Sequence, residues 1–234
     1  MTTGRPRTRP GSRELAPRDE ILAAATRLFA AKGYAGTTMS EIAREAGLQQ
    51  SSLYYWFNRK ELILQAAFGV NRAPLDFVIR MGTEPGSPAL RLYRLMCFDI
   101  RQLCTAPVDV NEVERLAGAQ PDVFADFWAD RQALHDWVEQ LVRAGIDGGE
   151  FHDVDPVLTA LNLLSANEGI PNWFRTQAEH RPDGGAAFRH PSYDDTDAAA
   201  HFAALALRGL LRRPSDLARI IRKADEFGDR DPGH

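Results

Sequence analysis

Apolar residues recur at helical spacing along most of this chain, and the first such stripe lies close to the N-terminus. It repeats at i, i+3, i+4, i+7 and i+8, which is the pattern of one buried helix face. Its members are Ile21, Ala24, Ala25, Leu28 and Phe29. Pro17 suits the first turn of this helix and Gly33 suits its end, since proline has no N–H to lose there and glycine accepts a left-handed backbone.

Two shorter helical segments follow, joined by a connection of only three or four residues. Thr38-x-x-Glu41 is a capping box, in which each side chain bonds the backbone N–H of the other residue. Gly47 ends this second helix. Leu53 and Phe57, four residues apart, anchor a third helix in a small core. The spacing predicts a helix-turn-helix.

The outward face of the third helix is polar but uncharged. No charged residue occurs from Leu48 to Asn58, and two tyrosines stand side by side at Tyr54 and Tyr55. Amides and hydroxyls can hydrogen-bond to base edges and phosphates, and Lys60 follows as a point charge. The residues of this candidate DNA-binding set are Thr38, Gln49, Gln50, Ser51, Ser52, Tyr54, Tyr55 and Lys60. The competing interpretation is a helical hairpin whose tyrosines lie in a protein interface.

The segment from Arg18 to about Leu64 resembles the DNA-binding domain of the TetR family of bacterial transcriptional regulators. The motifs that carry the resemblance are Ala46-Gly47-Leu48, Leu53-Tyr54-Tyr55-Trp56-Phe57 and Lys60-Glu61. The resemblance implies that residues 49–52 reach into the major groove. It also implies that Tyr54 and Tyr55 touch phosphates or, for one of them, a thymine methyl, and that Thr38 and Lys60 contact phosphates.

One position departs from the family pattern. Gln49 stands where the family commonly has Ser or Thr as the N-cap of the recognition helix, and glutamine is a poorer cap. Either Ser51 takes over the capping, or Gln49 is kept for reading bases. Glutamine pairs with adenine through N6 and N7, so Gln49 and Gln50 are the candidates for sequence specificity.

The pattern beyond Lys60 stays helical, without a strand signal or an internal repeat. It predicts a linking helix over 58–81 with a kink at Pro74, a long loop over 180–195, and helices over 89–103, 110–117, 121–144, 156–175 and 196–213. The expected fold is all-α, with three regions. These are a disordered basic arm (1–16), a helix-turn-helix domain (17–64) and a helical effector-binding and dimerisation domain (65–228).

The second domain is expected to serve two purposes. The family resemblance implies a homodimer through the helices at 156–175 and 196–213. Aromatic residues and the polar positions of helix 156–175 suggest an effector pocket for a bulky apolar or aromatic ligand, such as a coenzyme A thioester. The candidate lining residues are Phe98, Arg101, Phe127, Trp128, His135, Asn162, Ser165, Glu168 and Trp173. The polar ones among them can equally bond across the dimer interface.

Charge divides the chain and supports DNA binding by its N-terminal part. Residues 1–60 hold ten basic and five acidic side chains, a net charge of +5, although the whole chain has −4. The four arginines of the first 13 residues lie either in the minor groove or in a plain disordered tail. No apolar run approaches 18 residues and no secretory signal is evident, so a cytoplasmic protein without a membrane span is expected.

The sequence holds no sign of an enzyme. It has no G-x-S-x-G, G-x-G-x-x-G, P-loop or C-x-x-C motif, and no cofactor or metal is predicted. His152, Asp153 and Asp155 precede Pro156, where acids cap a helix. The sequence therefore predicts a regulator that binds a palindromic operator in double-stranded DNA, and a repressor that a small-molecule effector releases. A transcriptional activator or an effector-independent regulator is the alternative.

Overall fold

The computed structural model describes residues 16–178 and 193–227, with side chains described to residue 174 in the first range. Within these residues the chain is all-α, as predicted, and the predicted basic arm lies almost wholly outside them. The helices are α1 (Pro17–Lys32), α2 (Met39–Glu45), α3 (Gln50–Trp56), α4 (Lys60–Ala67), α5 (Arg72–Met81), α6 (Pro88–Thr105), α7 (Val110–Ala119), α8 (Ala125–Asp147), α9 (Pro156–Ala178), α10 (Asp195–Leu210), a 3-10 helix (Pro214–Asp216) and α11 (Leu217–Asp225).

The chain divides into two compact units, Met1–Ala67 and Phe68–His234. In the first unit α1 packs against α2 and α4, and α2 packs against α3. The predicted apolar positions form its core, with Ile21, Ala24 and Leu53 fully buried and Phe29 1% exposed. Burial of this small core fixes α3 on α1 and α2, so the opposite face of α3 is left to solvent.

The capping box is present at the start of α2, where Thr38 Oγ1 accepts from the Glu41 N–H and Glu41 Oε2 accepts from the Thr38 N–H. Gly33 and Gly47 both have a positive φ, of 73° and 70°. A side chain at either position would be strained, which is why glycine ends both helices.

The predicted linking helix over 58–81 is wrong. The structure has two helices, α4 and α5, separated at residues 68–71. Pro74 does not kink a helix, because it lies in the first turn of α5, where a missing N–H costs nothing. The break is at Gly69 and Asn71, and the Asn71 side chain is buried and donates to the Phe127 carbonyl at 3.1 Å.

The second unit is built around α6, which packs against α5, α8, α9, α10 and α11. Twelve of its eighteen residues are buried, so this helix is enclosed on most of its circumference. Phe77 of α5 stacks on Phe98 of α6 with ring centroids 4.3 Å apart. A helix enclosed in this way is the place to look for polar side chains that the core must satisfy.

Two helix ends differ from the prediction for local reasons. The long helix begins at Ala125 instead of Pro121, because the Gln120 carbonyl accepts from Val123 and Phe124 in a turn. Helix α10 ends at Leu210, three residues early, because Leu211 forms an antiparallel bridge with Phe151. Backbone bonds on both sides of this bridge hold the segment after α8 against the end of α10.

By length and composition alone, the stretch Lys60–Met81 is apolar enough to cross a membrane, and 33% of it is buried inside the protein. This is weak support for a span, because core helices of soluble proteins pass the same test. The stretch is also divided between α4 and α5, and it contains Arg72 and Asp76.

Candidate nucleic-acid interface and interior cavity

Helix α3 presents its polar face to solvent and its apolar residues to the core. Leu53 is fully buried and Phe57 is 6% exposed, whereas Tyr54 and Tyr55 are 46% and 83% exposed. The residues of the predicted base-reading segment, Gln49, Gln50, Ser51 and Ser52, are exposed on the same short helix and its N-cap. Six of the eight predicted DNA-contacting residues are therefore gathered on one accessible surface, which we call the α3 face.

The N-terminus of α3 is open. Gln49 is its N-cap residue and makes no side-chain cap hydrogen bond, and no serine side chain takes over that role. The first N–H groups of a helix need partners from outside when no side chain caps them. The departure at Gln49 thus leaves both a glutamine amide and uncapped N–H groups at the end of the helix that would approach DNA.

Thr38 lies at the neighbouring helix start, but its side chain is already engaged. Thr38 Oγ1 and Glu41 Oε2 are 2.7 Å apart, and Lys32 Nζ donates to Glu41 Oε1 at 2.5 Å. Hydrogen bonds from Lys32 and Thr38 lower the pKa of Glu41 to about 2. Glu41 therefore stays ionised across the physiological range and holds the Thr38 hydroxyl in place.

Lys60 has a structural role that the sequence did not predict. Its ammonium donates to the carbonyls of Tyr34 and Thr37, both at 2.7 Å, and lies 4.0 Å from the centre of the Tyr34 ring. These bonds fasten the start of α4 to the connection between α1 and α2. An ammonium has three N–H groups, so the predicted phosphate contact stays a prediction alongside this role.

The second unit contains a small cavity between α6, α8 and α9. Its volume is about 50 Å³, well below the ~300–1,000 Å³ of pockets for drug-sized ligands. Apolar and polar side chains share its wall. They are Val70, Asn71, Asp99, Leu103, Arg131, Leu134, His135, Leu161, Leu164, Ser165 and Glu168. We call this space the α6–α9 cavity.

Ion pairs line one side of the α6–α9 cavity. Arg131 of α8 bonds Glu168 of α9 at 2.7 Å and also bonds Glu114 of α7. Burial raises the pKa of Glu168, and the charge of Arg131 opposes that rise. The guanidinium thus has a carboxylate on each of two helices, as a half-buried arginine requires.

Asp99 of α6 has no such charged partner. It is 5% exposed, and its Oδ2 accepts from Asn167 Nδ2 at 2.8 Å. Burial raises the pKa of Asp99 to about 6, and the neighbouring charge of Glu168 adds to the rise. His135, also on the wall, has a buried Nε2 with no hydrogen-bond partner. Asp99 is thus a buried carboxylate whose hydrogen-bond partner is neutral, and His135 Nε2 is a buried ring nitrogen without a partner.

The structure brings together only three of the predicted effector-binding residues, since His135, Ser165 and Glu168 line the α6–α9 cavity. Phe98 is instead stacked on Phe77, and Arg101 pairs with Asp195 at 3.3 Å. Among the predicted residues, Phe127, Trp128, Asn162 and Trp173 are also absent from the cavity wall. The structure therefore does not gather the nine predicted residues around one cavity, and their role in binding an effector stays a prediction.

The three aromatic residues among those absent from the cavity wall make other contacts. Phe127 is buried edge-on against Phe124, with ring centroids 6.3 Å apart, and Trp128 Nε1 donates to the Ala117 carbonyl at 3.3 Å. Trp173 contacts the ring of Phe202, with centroids 5.9 Å apart. Aromatic content indicated a pocket, but Phe127 is part of the core, Trp173 is half-buried against Phe202, and Trp128 is 39% exposed.

Sequence reasoning missed Asp99 and Arg131, although a signal was present. Asp99 interrupts the apolar stripe of α6 between Leu95 and Leu103, and Arg131 interrupts that of α8 between Phe127 and Leu134. Charged residues at core positions are almost never fully buried without partners. Such interruptions therefore mark a polar site more reliably than aromatic residues do.

Helices α9 and α10 form an open groove of about 710 Å³ on the surface of the second unit. Asn162 lines this groove and not the cavity. Large apolar side chains stand exposed along it, with Leu158 65% and Leu205 60% exposed. Helix α9 thus divides its polar residues, because Ser165 and Glu168 face the cavity and Asn162 faces the groove.

Among the described residues, one group of side chains has metal-ligand spacing, His135, Asp136 and Glu139 on α8. Both carboxylates already accept hydrogen bonds, Asp136 from Gln132 at 2.7 Å and Glu139 from Arg143 at 2.6 Å. Before Pro156, Asp155 Oδ1 accepts from the Leu158 N–H at 2.9 Å and so caps α9, as the sequence predicted.

A helix-turn-helix unit with an exposed, uncharged α3, joined to a larger helical unit with a small cavity, defines the class of helical transcriptional regulators. Residues 21–67 match the family described as bacterial regulatory proteins, tetR family. Residues 86–187 match the tetracyclin repressor-like C-terminal domain. The chain belongs to the TetR family of transcriptional regulators, as the resemblance in the sequence indicated.

Relatives and solved structures agree with this assignment. The regulator SrpR of Pseudomonas putida is 38% identical over 69 residues, which span 29% of this chain and 32% of SrpR. EthR of Mycolicibacterium smegmatis is 25% identical over 70% of this chain and 80% of its own length. The crystal structure of Mycobacterium smegmatis AmtR has a TM-score of 0.65 at 27% identity, covering 94% of this chain and 98% of that chain.

Proposed function

We propose that this protein is a repressor that binds operator DNA through the α3 face and is released by an effector bound in its second unit. The observation that carries the proposal is the exposed surface of α3, which bears amides and hydroxyls and no charged side chain. A solvated helix face ordinarily carries charged residues. A polar face without them suits hydrogen bonding to base edges and phosphates.

The proposed roles follow the geometry of the α3 face. Gln49 and Gln50 read bases at the helix N-terminus, and Ser51 and Ser52 approach the groove beside them. Tyr54 and Tyr55 contact the phosphates or a thymine methyl. The uncapped N–H groups at the start of α3 would donate to a phosphate oxygen, since helix N-termini bind anions. Because the protein must reach operator DNA, the proposal places it in the bacterial cytoplasm.

We further propose that two copies pair through the groove between α9 and α10. Leu158 and Leu205 in this groove are 65% and 60% exposed, which is unusual for large apolar side chains lying together on one surface. Gly209 lies in the same groove and permits close approach of a second helix. A two-fold dimer would present two α3 faces to the two halves of a palindromic operator.

The pairing can be tested by sedimentation of the variant Leu205→Glu. We expect this variant to be monomeric, because a carboxylate would be buried against an apolar partner. Ile79→Glu is the matched control, since Ile79 is also 60% exposed but lies on α5, outside the groove. If both variants remain dimeric, the groove is not the interface.

The effector that the proposal requires is expected in the α6–α9 cavity. A bulky apolar ligand or a coenzyme A thioester, suggested by the aromatic content, is too large for a cavity of about 50 Å³. The tetracyclin repressor-like match of residues 86–187 supports the repressor assignment over that of an activator. An effector-independent regulator is the remaining alternative.

The decisive experiment is a gel shift of the purified protein on DNA from upstream of its own gene, at two salt concentrations. We expect palindrome-dependent binding that weakens steeply with salt, since phosphate contacts release counterions. Gln50→Ala should reduce binding to the palindrome more than binding to unrelated DNA. Only weak binding that is indifferent to sequence would contradict the proposed function at this operator.

A further inference from the structure

The α6–α9 cavity has an excess of negative charge that its own residues do not neutralise. Asp99 and Glu168 line it, and Arg131 is the basic residue on its wall. Arg131 is already paired with Glu168 and with Glu114 of α7. The single guanidinium therefore serves two carboxylates, and Asp99 is left with a neutral hydrogen-bond partner, Asn167.

A buried carboxylate without a cation is expensive, and proteins rarely keep one without a purpose. Asp99 is 5% exposed and has no ion pair among the described residues. An uncharged side chain of the same shape would avoid the cost. The position therefore suggests a counter-charge that arrives from outside the chain.

His135 lies on the same wall and does have an unpartnered polar atom. Its Nε2 is buried and has no hydrogen-bond partner. In the neutral ring one nitrogen accepts a hydrogen bond, so His135 can offer a lone pair to a donor in the cavity. Ser165 and Asn71 add a hydroxyl and an amide to the wall.

Charge and size together restrict the ligand. An anion would meet Asp99 and Glu168 and would have only an arginine that is already paired. A metal ion would need several ligand atoms close together, and in the described part of the chain the cluster with that spacing is His135, Asp136 and Glu139, not Asp99 with Glu168. A volume of about 50 Å³ admits only a few non-hydrogen atoms.

We propose that the α6–α9 cavity binds the protonated amino group of a small organic cation, with Asp99 as its counter-ion and His135 Nε2 as a hydrogen-bond acceptor. An ammonium group supplies three donors and one positive charge. The charge matches the carboxylate of Asp99, and a donor matches the unpartnered Nε2 of His135. The identity of the ligand as the effector rests on the proposed function, but its binding to this cavity does not.

The affinity of the cavity for the amine should decrease at low pH. Asp99 accepts a cation only when ionised, and its pKa of about 6 lies close to neutrality. The other charged groups that face the site, Glu114, Arg131 and Glu168, remain mutually paired. Affinity for the amine should therefore fall as the pH is lowered through 6.

The test uses the full-length protein and thermal unfolding with ethylammonium chloride at pH 7.5. Sodium chloride at equal ionic strength controls for salt, and sodium propionate supplies a molecule of similar size and opposite charge. We expect a saturable rise in Tm with ethylammonium and none with propionate. Ammonium chloride forms a separate arm, and a shift by ammonium equal to that by ethylammonium would assign the site to the bare ion.

The variant Asp99→Asn should weaken the affinity for ethylammonium by at least about tenfold, as loss of a charged hydrogen-bond partner does. Asp136→Asn, on the exposed side of the same cluster of helices, is the matched control and should bind like the parent protein. If Asp99→Asn does not fold, the parent protein at pH 5 should bind about tenfold more weakly than at pH 7.5.

Two outcomes would overturn the proposal. In the first, neither ethylammonium nor ammonium gives a saturable shift in Tm, which means that the cavity holds water only. In the second, the shift persists unchanged in Asp99→Asn. A gel shift in parallel separates this inference from the proposed function. Operator binding without any amine-dependent shift in Tm refutes the amine site alone, and an amine-dependent shift without release of DNA refutes the effector role alone.

Discussion

Asn167 of α9 donates a 2.8 Å hydrogen bond to the carboxylate of Asp99 on α6, with both side chains almost fully buried. The bond joins two helices of the second unit that otherwise meet through apolar side chains. An amide cannot neutralise a carboxylate, so the pair retains a negative charge in the core. This charge destabilises the folded protein, and the same charge would bind the proposed amine.

The first prediction concerns the stability of Asp99→Asn. The pKa of Asp99 is about 6 in the folded protein and roughly 3.9 in an unfolded chain. Because the folded state binds the proton more tightly, this group favours folding below pH 4, and that contribution is lost as the pH rises through 6. At pH 7.5 the difference amounts to about 2–3 kcal/mol.

Asp99→Asn removes this titration. We expect the variant to be more stable than the parent at pH 7.5, with an advantage that shrinks as the pH falls from 6 to 4. Urea unfolding at several pH values measures it. A variant that is less stable than the parent at pH 7.5, by the same margin at every pH, would show that the carboxylate itself holds the core together.

The second prediction concerns Lys60. Lys60→Met removes the donor to the carbonyls of Tyr34 and Thr37 and keeps much of the aliphatic stem. Both carbonyls lose the ammonium donor, although the Tyr34 carbonyl keeps the N–H of Thr37 at 3.1 Å, so we expect a loss of about 1–3 kcal/mol in the free energy of unfolding. The control is Lys32→Met, whose ammonium bonds only the carboxylate of Glu41. An equal loss of unfolding free energy in both variants would mean that the bonds of Lys60 to the two carbonyls stabilise the fold no more than a surface ion pair does.

The third prediction concerns Tyr55, the most exposed of the large apolar side chains. Tyr55→Phe deletes one hydroxyl, and we expect operator affinity to fall by roughly 2–10-fold with an unchanged Tm, as for one hydrogen bond to phosphate. Tyr193→Phe is the matched control, because Tyr193 is 47% exposed in the other unit. Full operator affinity in Tyr55→Phe would show that the hydroxyl does not contact DNA. The ring would then be the only part of this side chain that could do so.

The fourth prediction compares two glycines in helices. A Cβ at Gly145 of α8 would lie 2.1 Å from the Phe151 ring, whereas one at Gly118 of α7 would meet nothing within 4 Å. Gly145→Ala should therefore cost about 1–3 kcal/mol through overpacking. Gly118→Ala should stabilise the protein by about 0.5–1 kcal/mol, because alanine loses less backbone entropy in a helix. Chemical unfolding of both variants decides the prediction, and equal effects would contradict the contact with Phe151.

Local rules were sufficient for the first unit. The stripe from Ile21 to Phe29, the capping box at Thr38 and the stop at Gly47 depend on neighbours within a few residues, so the sequence alone predicted their conformation. The exposure of Tyr54 and Tyr55 followed as well, since Leu53 and Phe57 fix which side of α3 is buried. Even here the bonds of Lys60 to two carbonyls could not be predicted, because those partners lie 26 and 23 residues away.

The second unit shows where such rules end. Sequence determined that the chain is helical and belongs to the TetR family, because helix periodicity and the motifs around α3 are properties of contiguous residues. Only the tertiary structure decided that Asp99, Arg131, His135 and Glu168 share one cavity while Phe98 stacks on Phe77 in the core and Trp128 stays partly exposed. Three helices distant in sequence form that wall, and the direction in which each side chain points depends on how those helices pack.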